Sequence, residues 1–215
     1  MRVDDRMNER IGVFGGTFDP IHVGHLAAAV NVQHSLQLDR VLLVVANVPW
    51  QKVDARPVSA AEDRLAMVEA ATEGIPGLEA SRMEIDRGGP SYTADTLAEL
   101  GRTSPGAELF VVVGSDVAPD LGSWERTEEV RRACVLVVVT RPGSPPHSAV
   151  GWRTEAVEVP ALDISSTDLR RRVGDGRPLD FLVTPPVIRV IRERGLYLGD
   201  ADERPPQLSG DTGTR

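Results

Sequence analysis

The stretch Gly15-Gly16-Thr17-Phe18-Asp19-Pro20-Ile21-His22-Val23-Gly24-His25-Leu26 decides how the rest of the chain is read. Ahead of it, Ile11-Gly12-Val13-Phe14 is a short apolar run of strand length. Behind it, an Ala-, Val- and Leu-rich segment to Leu36 has helical character. A glycine pair at the end of a strand lets backbone approach a ligand with no Cβ in the way. His22 and His25, three residues apart where the helix begins, point to roughly one side. The first turn of a helix leaves backbone N–H groups without intrahelical partners, so the stretch reads as a phosphate site. A Gly-Gly turn alone, or a His-x-x-His pair alone, is commonplace; the combination in one strand–loop–helix unit is specific.

Outward from that unit the chain alternates strand and helix. Val41–Ala46 is a β-branched run suited to a strand buried on both faces, and strand, helix and strand in succession force a parallel pair. Asn47-Val48-Pro49-Trp50-Gln51-Lys52 then leaves the sheet as a loop. Ser59-Ala60-Ala61-Glu62 has the form of a capping box, opening a helix that turns Leu65, Met67, Val68 and Ala71 to the core. Residues 74–86 contain short strand-like pieces. Ser91-Tyr92-Thr93-Ala94-Asp95-Thr96-Leu97 begins another helix, with Ser91 or Thr93 as cap. Leu109–Val113 and Cys134–Val139 are further strands, ending at Gly114-Ser115-Asp116 and at Thr140-Arg141-Pro142-Gly143, and Val157–Val159 is the last. Ser165-Ser166-Thr167 caps a helix through Arg172. Pro185-Pro186 opens a final helix that Gly195 closes.

This order predicts an α/β fold with a doubly wound, Rossmann-like parallel sheet and a small C-terminal helical part over about 164–198. Ligands of such sheets lie outside the carboxyl ends of the strands, where the strand order reverses. Gly15, Pro49, Gly114 and Thr140 each follow a predicted strand, so the loops of interest share one edge. The expected organisation is a leader over 1–9, a single domain over 10–198, and a disordered, acidic, Pro- and Gly-rich tail over 199–215.

Composition narrows the function. A chain of 215 residues suits one α/β domain. A formal net charge of −8 argues against general affinity for a nucleic-acid backbone, so a phosphate ligand must be held by local donors, a few placed cations or a divalent metal. The single cysteine, Cys134, excludes an intramolecular disulfide and a multi-Cys metal site, and its apolar surroundings suggest a buried strand thiol. No apolar run reaches the length of a membrane span, and the charged N-terminus lacks a signal-peptide core, so a cytoplasmic protein is expected.

The opening stretch resembles the G-G-[ST]-F-D-P-x-H-x-G-H loop of a family of nucleotidyltransferases. Ile164-Ser165-Ser166-Thr167-Asp168-Leu169-Arg170, by itself a good helix N-cap, resembles the same family's I-S-S-T-x-[IL]-R element. Ser91-Tyr92-Thr93-x-Asp95-Thr96-Leu97, Gly114-x-Asp116 with Leu121 and Trp124, and the closing Gly195-Leu196-Tyr197 resemble blocks of the nicotinate-nucleotide adenylyltransferases. The resemblance covers about 11–197.

It implies adenylyl transfer from ATP, carried with Mg²⁺, to nicotinate mononucleotide by direct in-line displacement. By the same resemblance ATP is held by Gly15, Gly16, Thr17, Phe18, His22, His25, Lys52, Gly114, Ser165, Ser166 and Arg170, with His22, His25 and Arg170 catalytic. Tyr92, Thr93, Asp116, Trp124 and Arg141 hold the mononucleotide. The chemistry suits the residues: an indole stacks on a pyridine ring, helix amides receive a carboxylate, and Asp116 accepts from a ribose. A packing role for Trp124 stays open. Neither a nucleic-acid partner nor a protein-borne metal site is implied, and a homo-oligomer is left open. Where relatives carry a His-Lys pair after the second strand, this chain has Trp50-Gln51-Lys52, without the His. The alternatives are another small-phosphate adenylyltransferase, one acting on nicotinamide mononucleotide above all, and a catalytically silent nucleotide-binding regulator.

Overall fold

Six strands lie in one wholly parallel sheet, and the order in which they lie decides where a ligand can enter. In the computed structural model, which describes residues 8–49, 58–143 and 149–198, the strands are β1 (Arg10–Gly16), β2 (Arg40–Val45), β3 (Leu78–Ser81), β4 (Glu108–Gly114), β5 (Val135–Thr140) and β6 (Thr154–Glu158). Their spatial order is β3-β2-β1-β4-β5-β6. The helices are α1 (Val23–Ser35), α2 (Ala61–Thr72), α3 (Met83–Arg87), α4 (Thr93–Thr103), α5 (Thr127–Ala133), α6 (Ser166–Gly174) and α7 (Pro185–Glu193), with a 3₁₀ segment at Ala118–Ser123. The doubly wound α/β fold expected from the sequence is the one observed.

The strands are near-continuous apolar runs because both faces of the sheet are covered. Val41, Leu43 and Val45 of β2 meet α1, α2 and α7 on one face, through Val32, Leu65, Met67 and Ile188. Leu42 and Val44 of the same strand meet the opposite cluster, with Leu97 and Leu100 of α4 and Val130 of α5. The period of two thus splits each central strand between two cores. Among the described residues no helix is long and apolar enough to cross a membrane.

Several local expectations are corrected by tertiary partners. The capping box at Ser59 does not form. Helix α2 starts at Ala61 with Ala60 at its N-cap and no side-chain cap; the Ser59 amide donates instead to Asp19 Oδ2 (3.4 Å), and its carbonyl accepts from Arg64. Neither Ser91 nor Thr93 caps α4, whose N-cap is Tyr92, because the Ser91 hydroxyl accepts from the Asn47 amide at 2.8 Å. Only residues 78–81 of the 74–86 segment are strand, and Met83–Arg87 is a short helix. The last strand begins three residues earlier than expected, at Thr154. Glu9, the final residue of the expected leader, is tied to the sheet: its carbonyl accepts from Glu108 and its carboxylate pairs with Arg40 at 2.9 Å.

Cys134 is fully buried and its thiol donates to the Val130 carbonyl. Burial pushes the thiol up to about 11. The folded protein is therefore expected to leave a disulfide reagent such as DTNB unreacted at pH 8 and to titrate one thiol after denaturation; prompt reaction of the folded form would contradict this packing.

Candidate active site

The cleft originates in a mismatch of strand pairing. β1 runs beside β2 as far as Gly16↔Val45, yet it pairs with β4 only as far as Val13↔Val111. Beyond Val13 the carboxyl ends of β1 and β4 separate, at the point where strand order reverses, which is where open α/β sheets take ligands. The opening is a cavity of about 370 Å³. Its floor is Val13, Phe14 and Val111–Val113; its walls are the β1–α1 loop, the start of α4, Trp124 and Ser166.

The β1–α1 loop has its shape because Phe18 folds back under it. Phe18 is 3% exposed and adopts a positive φ of 49°. A Cβ on Gly16 would stand 2.7 Å from the Phe18 ring, so glycine is required there. The ring meets Phe14 and His25 edge-on, with centroids 5.9 and 5.2 Å away, and so braces the His25 imidazole.

The two histidines differ in setting. His22 is the extended N-cap of α1, and its amide donates to His25 Nδ1 at 3.3 Å. A neutral His25 that accepts at Nδ1 carries its proton on Nε2, as a donor for the cleft it lines. His22 lies behind it, the two rings 3.8 Å apart. Burial lowers the His22 pKa from 6.5 to about 4, so the ring is neutral at pH 7. Gly24 leaves room for the buried His22 Nδ1: a Cβ at position 24 would stand 3.0 Å from that atom.

Beneath the loop, Asp19 is 2% exposed and is held from several elements. Tyr197 Oη donates to its Oδ1 at 2.7 Å. Arg170 Nη1 donates to its carbonyl at 2.7 Å, and Nη2 to Thr167 Oγ1 at 3.0 Å. Arg170 is thus a buried strut below the loop and is not among the residues lining the cavity. The Ser166 hydroxyl lines the cavity and donates to the Pro20 carbonyl at 2.9 Å. Ser165 caps α6 by accepting from the Asp168 amide, outside the cavity.

Tyr92, Thr93 and Trp124 form the opposite wall, where Trp124 also packs against the α4–α5 core cluster. Gly15, Gly16, Thr17, Phe18 and Gly114 line the cavity as well. The Asp116 carboxylate folds against Gly114 so closely that a side chain at 114 would overlap it, and Asp116 itself is exposed at the rim. Arg141 is exposed just after β5 and does not line the cavity. Lys52, with Trp50 and Gln51, lies outside the described residues.

Sequence reasoning missed Glu84 and Arg64. Glu84 is buried at the cavity wall and accepts from Thr96 Oγ1 at 2.5 Å; nothing in a five-residue helix directly after β3 announced it. Arg64 left one signal: it falls on the helical stripe of Met67, Val68 and Ala71, a charged residue within an apolar face.

Comparisons with known proteins agree with this geometry. The cytidylyltransferase-like family model matches residues 13–172. A probable nicotinate-nucleotide adenylyltransferase of Saccharopolyspora erythraea is 46% identical over 196 residues, spanning 90% of this chain and 92% of that protein. One from Streptomyces coelicolor is 47% identical over 188 residues, spanning 86% of this chain and 100% of that protein. Among solved structures, the Plasmodium falciparum nicotinic acid mononucleotide adenylyltransferase complexed with NaAD is similar in fold, with a TM-score of 0.72 at 18% identity over 88% of this chain and 98% of that one.

The low pKa of His22 has a stability consequence of definite sign. The unfolded imidazole, near 6.5, binds a proton that the folded one refuses until about 4. The contribution is complete above about pH 6.5 and is lost as pH falls toward 4, amounting to about 3 kcal/mol at most. Urea unfolding of His22→Asn should therefore show a flatter stability profile between pH 4 and 6.5 than the unaltered protein. Parallel profiles would mean that His22 titrates normally.

Proposed function

The chain belongs to the nicotinate-nucleotide adenylyltransferases of the cytidylyltransferase-like family, and from that premise we propose how its residues carry out the family's reaction. The enzyme transfers adenylate from ATP to nicotinate mononucleotide, giving nicotinate adenine dinucleotide and pyrophosphate, a step of NAD biosynthesis. The observation that carries the residue assignment is the cleft at the strand-order reversal. It joins a donor-rich loop with His25 at one end to Tyr92, Thr93 and Trp124 at the other.

The 5′-phosphate of the mononucleotide is ionised at neutral pH, so its oxygen attacks the α-phosphorus of ATP without a general base. The new O–P bond forms as the bond from the α-phosphorus to the bridging oxygen breaks, and the electron pair leaves on pyrophosphate. No protein nucleophile intervenes. Catalysis then rests on alignment and on donors aimed at developing charge. Amides of Gly16, Thr17 and Phe18 and the Nε2–H of His25 serve the α-phosphate, and the α6 N-terminus at Ser166 serves the leaving phosphates. His22 backs His25, and its proton affinity rises when triphosphate arrives. Arg170 acts through the Asp19 carbonyl and Thr167. Ser165 acts by capping α6, Gly114 by leaving space at the floor.

On the acceptor side Trp124 stacks on the pyridine ring, and the amides at the start of α4, beside Tyr92 and Thr93, receive the carboxylate. Asp116 and Arg141, both exposed in loops beyond the carboxyl ends of β4 and β5, are assigned to the ribose and the 5′-phosphate. Among the described residues no group of three or more His, Cys, Asp or Glu is placed to hold a metal ion. In this reading magnesium arrives with the substrate, as the complex of ATP. The whole machinery belongs to one domain over 10–198.

Incubation with ATP, Mg²⁺ and either nicotinate or nicotinamide mononucleotide should release pyrophosphate, faster with the acid. His25→Ala should lower kcat about 10²-fold or more with little change in melting temperature; no release with either acceptor, or full turnover by the variant, would contradict the assignment. Trp124→Ala should raise KM for the mononucleotide about tenfold while leaving KM for ATP nearly unchanged. Equal loss for both substrates would reduce Trp124 to a packing residue.

A further inference from the structure

Under the floor of the β1–α1 loop lies an arginine that no cleft chemistry uses. Arg64, in the first turn of α2, is 1% exposed and does not line the cavity. Its guanidinium donates to three backbone carbonyls: Nε to Ser59 at 2.9 Å, Nη1 to Thr17 at 2.9 Å and Nη2 to Asn47 at 3.1 Å. The three carbonyls belong to separate segments, namely the β1–α1 loop, the loop leaving β2, and the residues entering α2. Burial works against the charge of Arg64, while the nearby Asp19 carboxylate supports it.

We propose that Arg64 is the positioning residue of the phosphate site, fixing the direction of the Thr17–Phe18 peptide so that its N–H faces the cleft. A trans peptide is planar, with N–H opposed to C=O. Thr17 and Phe18 line the cavity and Arg64 lies behind them. Drawing the Thr17 carbonyl back onto Arg64 therefore turns the Phe18 N–H forward, toward an incoming phosphate. By gripping Asn47 as well, the same guanidinium joins the two loops that border the cleft, so that both keep one register.

Charge adds to geometry. Arg64 and Arg170 lie around one buried carboxylate, Asp19, and the Tyr197 phenol is neutral. The set carries one net positive charge in a chain whose formal charge is −8. Placed beneath the loop in a medium of low dielectric, that charge acts on a triphosphate more strongly than an exposed lysine would. The inference rests on reading the β1–α1 loop as the triphosphate site.

Two variants and one measurement on the unaltered protein test it. Arg64→Lys keeps the charge and loses the three-way fork; Arg64→Met keeps only bulk. Both should lower kcat about 10²-fold, the effect of losing one preorganised donor. KM for ATP should rise, and the Kd for nicotinate mononucleotide should move less than about twofold. In the unaltered protein, titration with inorganic tripolyphosphate should shift the Phe18 amide resonance among the largest in the ¹H–¹⁵N spectrum. Wild-type turnover by Arg64→Lys would overturn the proposal, and so would equal weakening of both substrates. A Phe18 amide that stays still while other residues of 15–25 shift would overturn it even where neither variant folds. Tripolyphosphate shifts confined to residues far from 15–25 would instead overturn the reading of the loop on which the proposal rests.

Discussion

An arginine is stable inside a protein only when its guanidinium is hydrogen-bonded and faced by opposite charge, and this molecule meets that demand twice in one place. Arg64 and Arg170 both close on the β1–α1 loop, the first through the Thr17 carbonyl and the second through that of Asp19. Tyr197, beyond the last helix, completes the set by donating to the Asp19 carboxylate. Leaving either guanidinium unpaired would cost about 3–5 kcal/mol, a large fraction of the stability of a domain this size. The N-terminal loop, α2, α6 and the C-terminal segment are therefore held to a single arrangement. The β1–α1 loop inherits its rigidity from them.

The same arrangement explains how an acidic protein handles anionic substrates. Among the described residues no Lys or Arg lines the cleft; Arg64 and Arg170 are both behind it. What the loop side of the cleft offers in the proposed reading is a set of neutral donors: amides, a helix N-terminus at Ser166, and the Nε2–H of His25. Neutral donors locked in direction stabilise developing charge without the reorganisation that a flexible lysine would require. His22, neutral at pH 7 because it is buried, adds no charge beside the loop.

The sheet was legible in the sequence because its signals are local. Val41–Val45, Leu109–Val113 and Val135–Val139 are runs that only strands covered on both faces tolerate, and the loops that follow them necessarily share an edge. The β1–α1 wall of the cleft was legible because glycines, histidines and a helix start are close together in the chain. Ser59 was misread for the complementary reason. Its cap was inferred from a four-residue pattern, whereas Asp19 and Arg64, distant in sequence or in role, claim its backbone groups.

Strand identity, doubly wound topology and the carboxyl-edge location of the site follow from the sequence alone, since periodicity and short spacings encode them, whereas the individual site residues were named through the family resemblance of their motifs. The tertiary structure decided the division of labour among the charged residues. A four-residue spacing cannot tell whether Arg170 reaches a ligand or a carbonyl, nor whether Arg64 faces water or a buried loop. Those outcomes depend on segments far apart in the chain, which meet only when both faces of the sheet have been covered. The split between β1 and β4 beyond Val13 is likewise a property of three-dimensional pairing, and it is what turns a glycine-rich loop into one wall of a cleft.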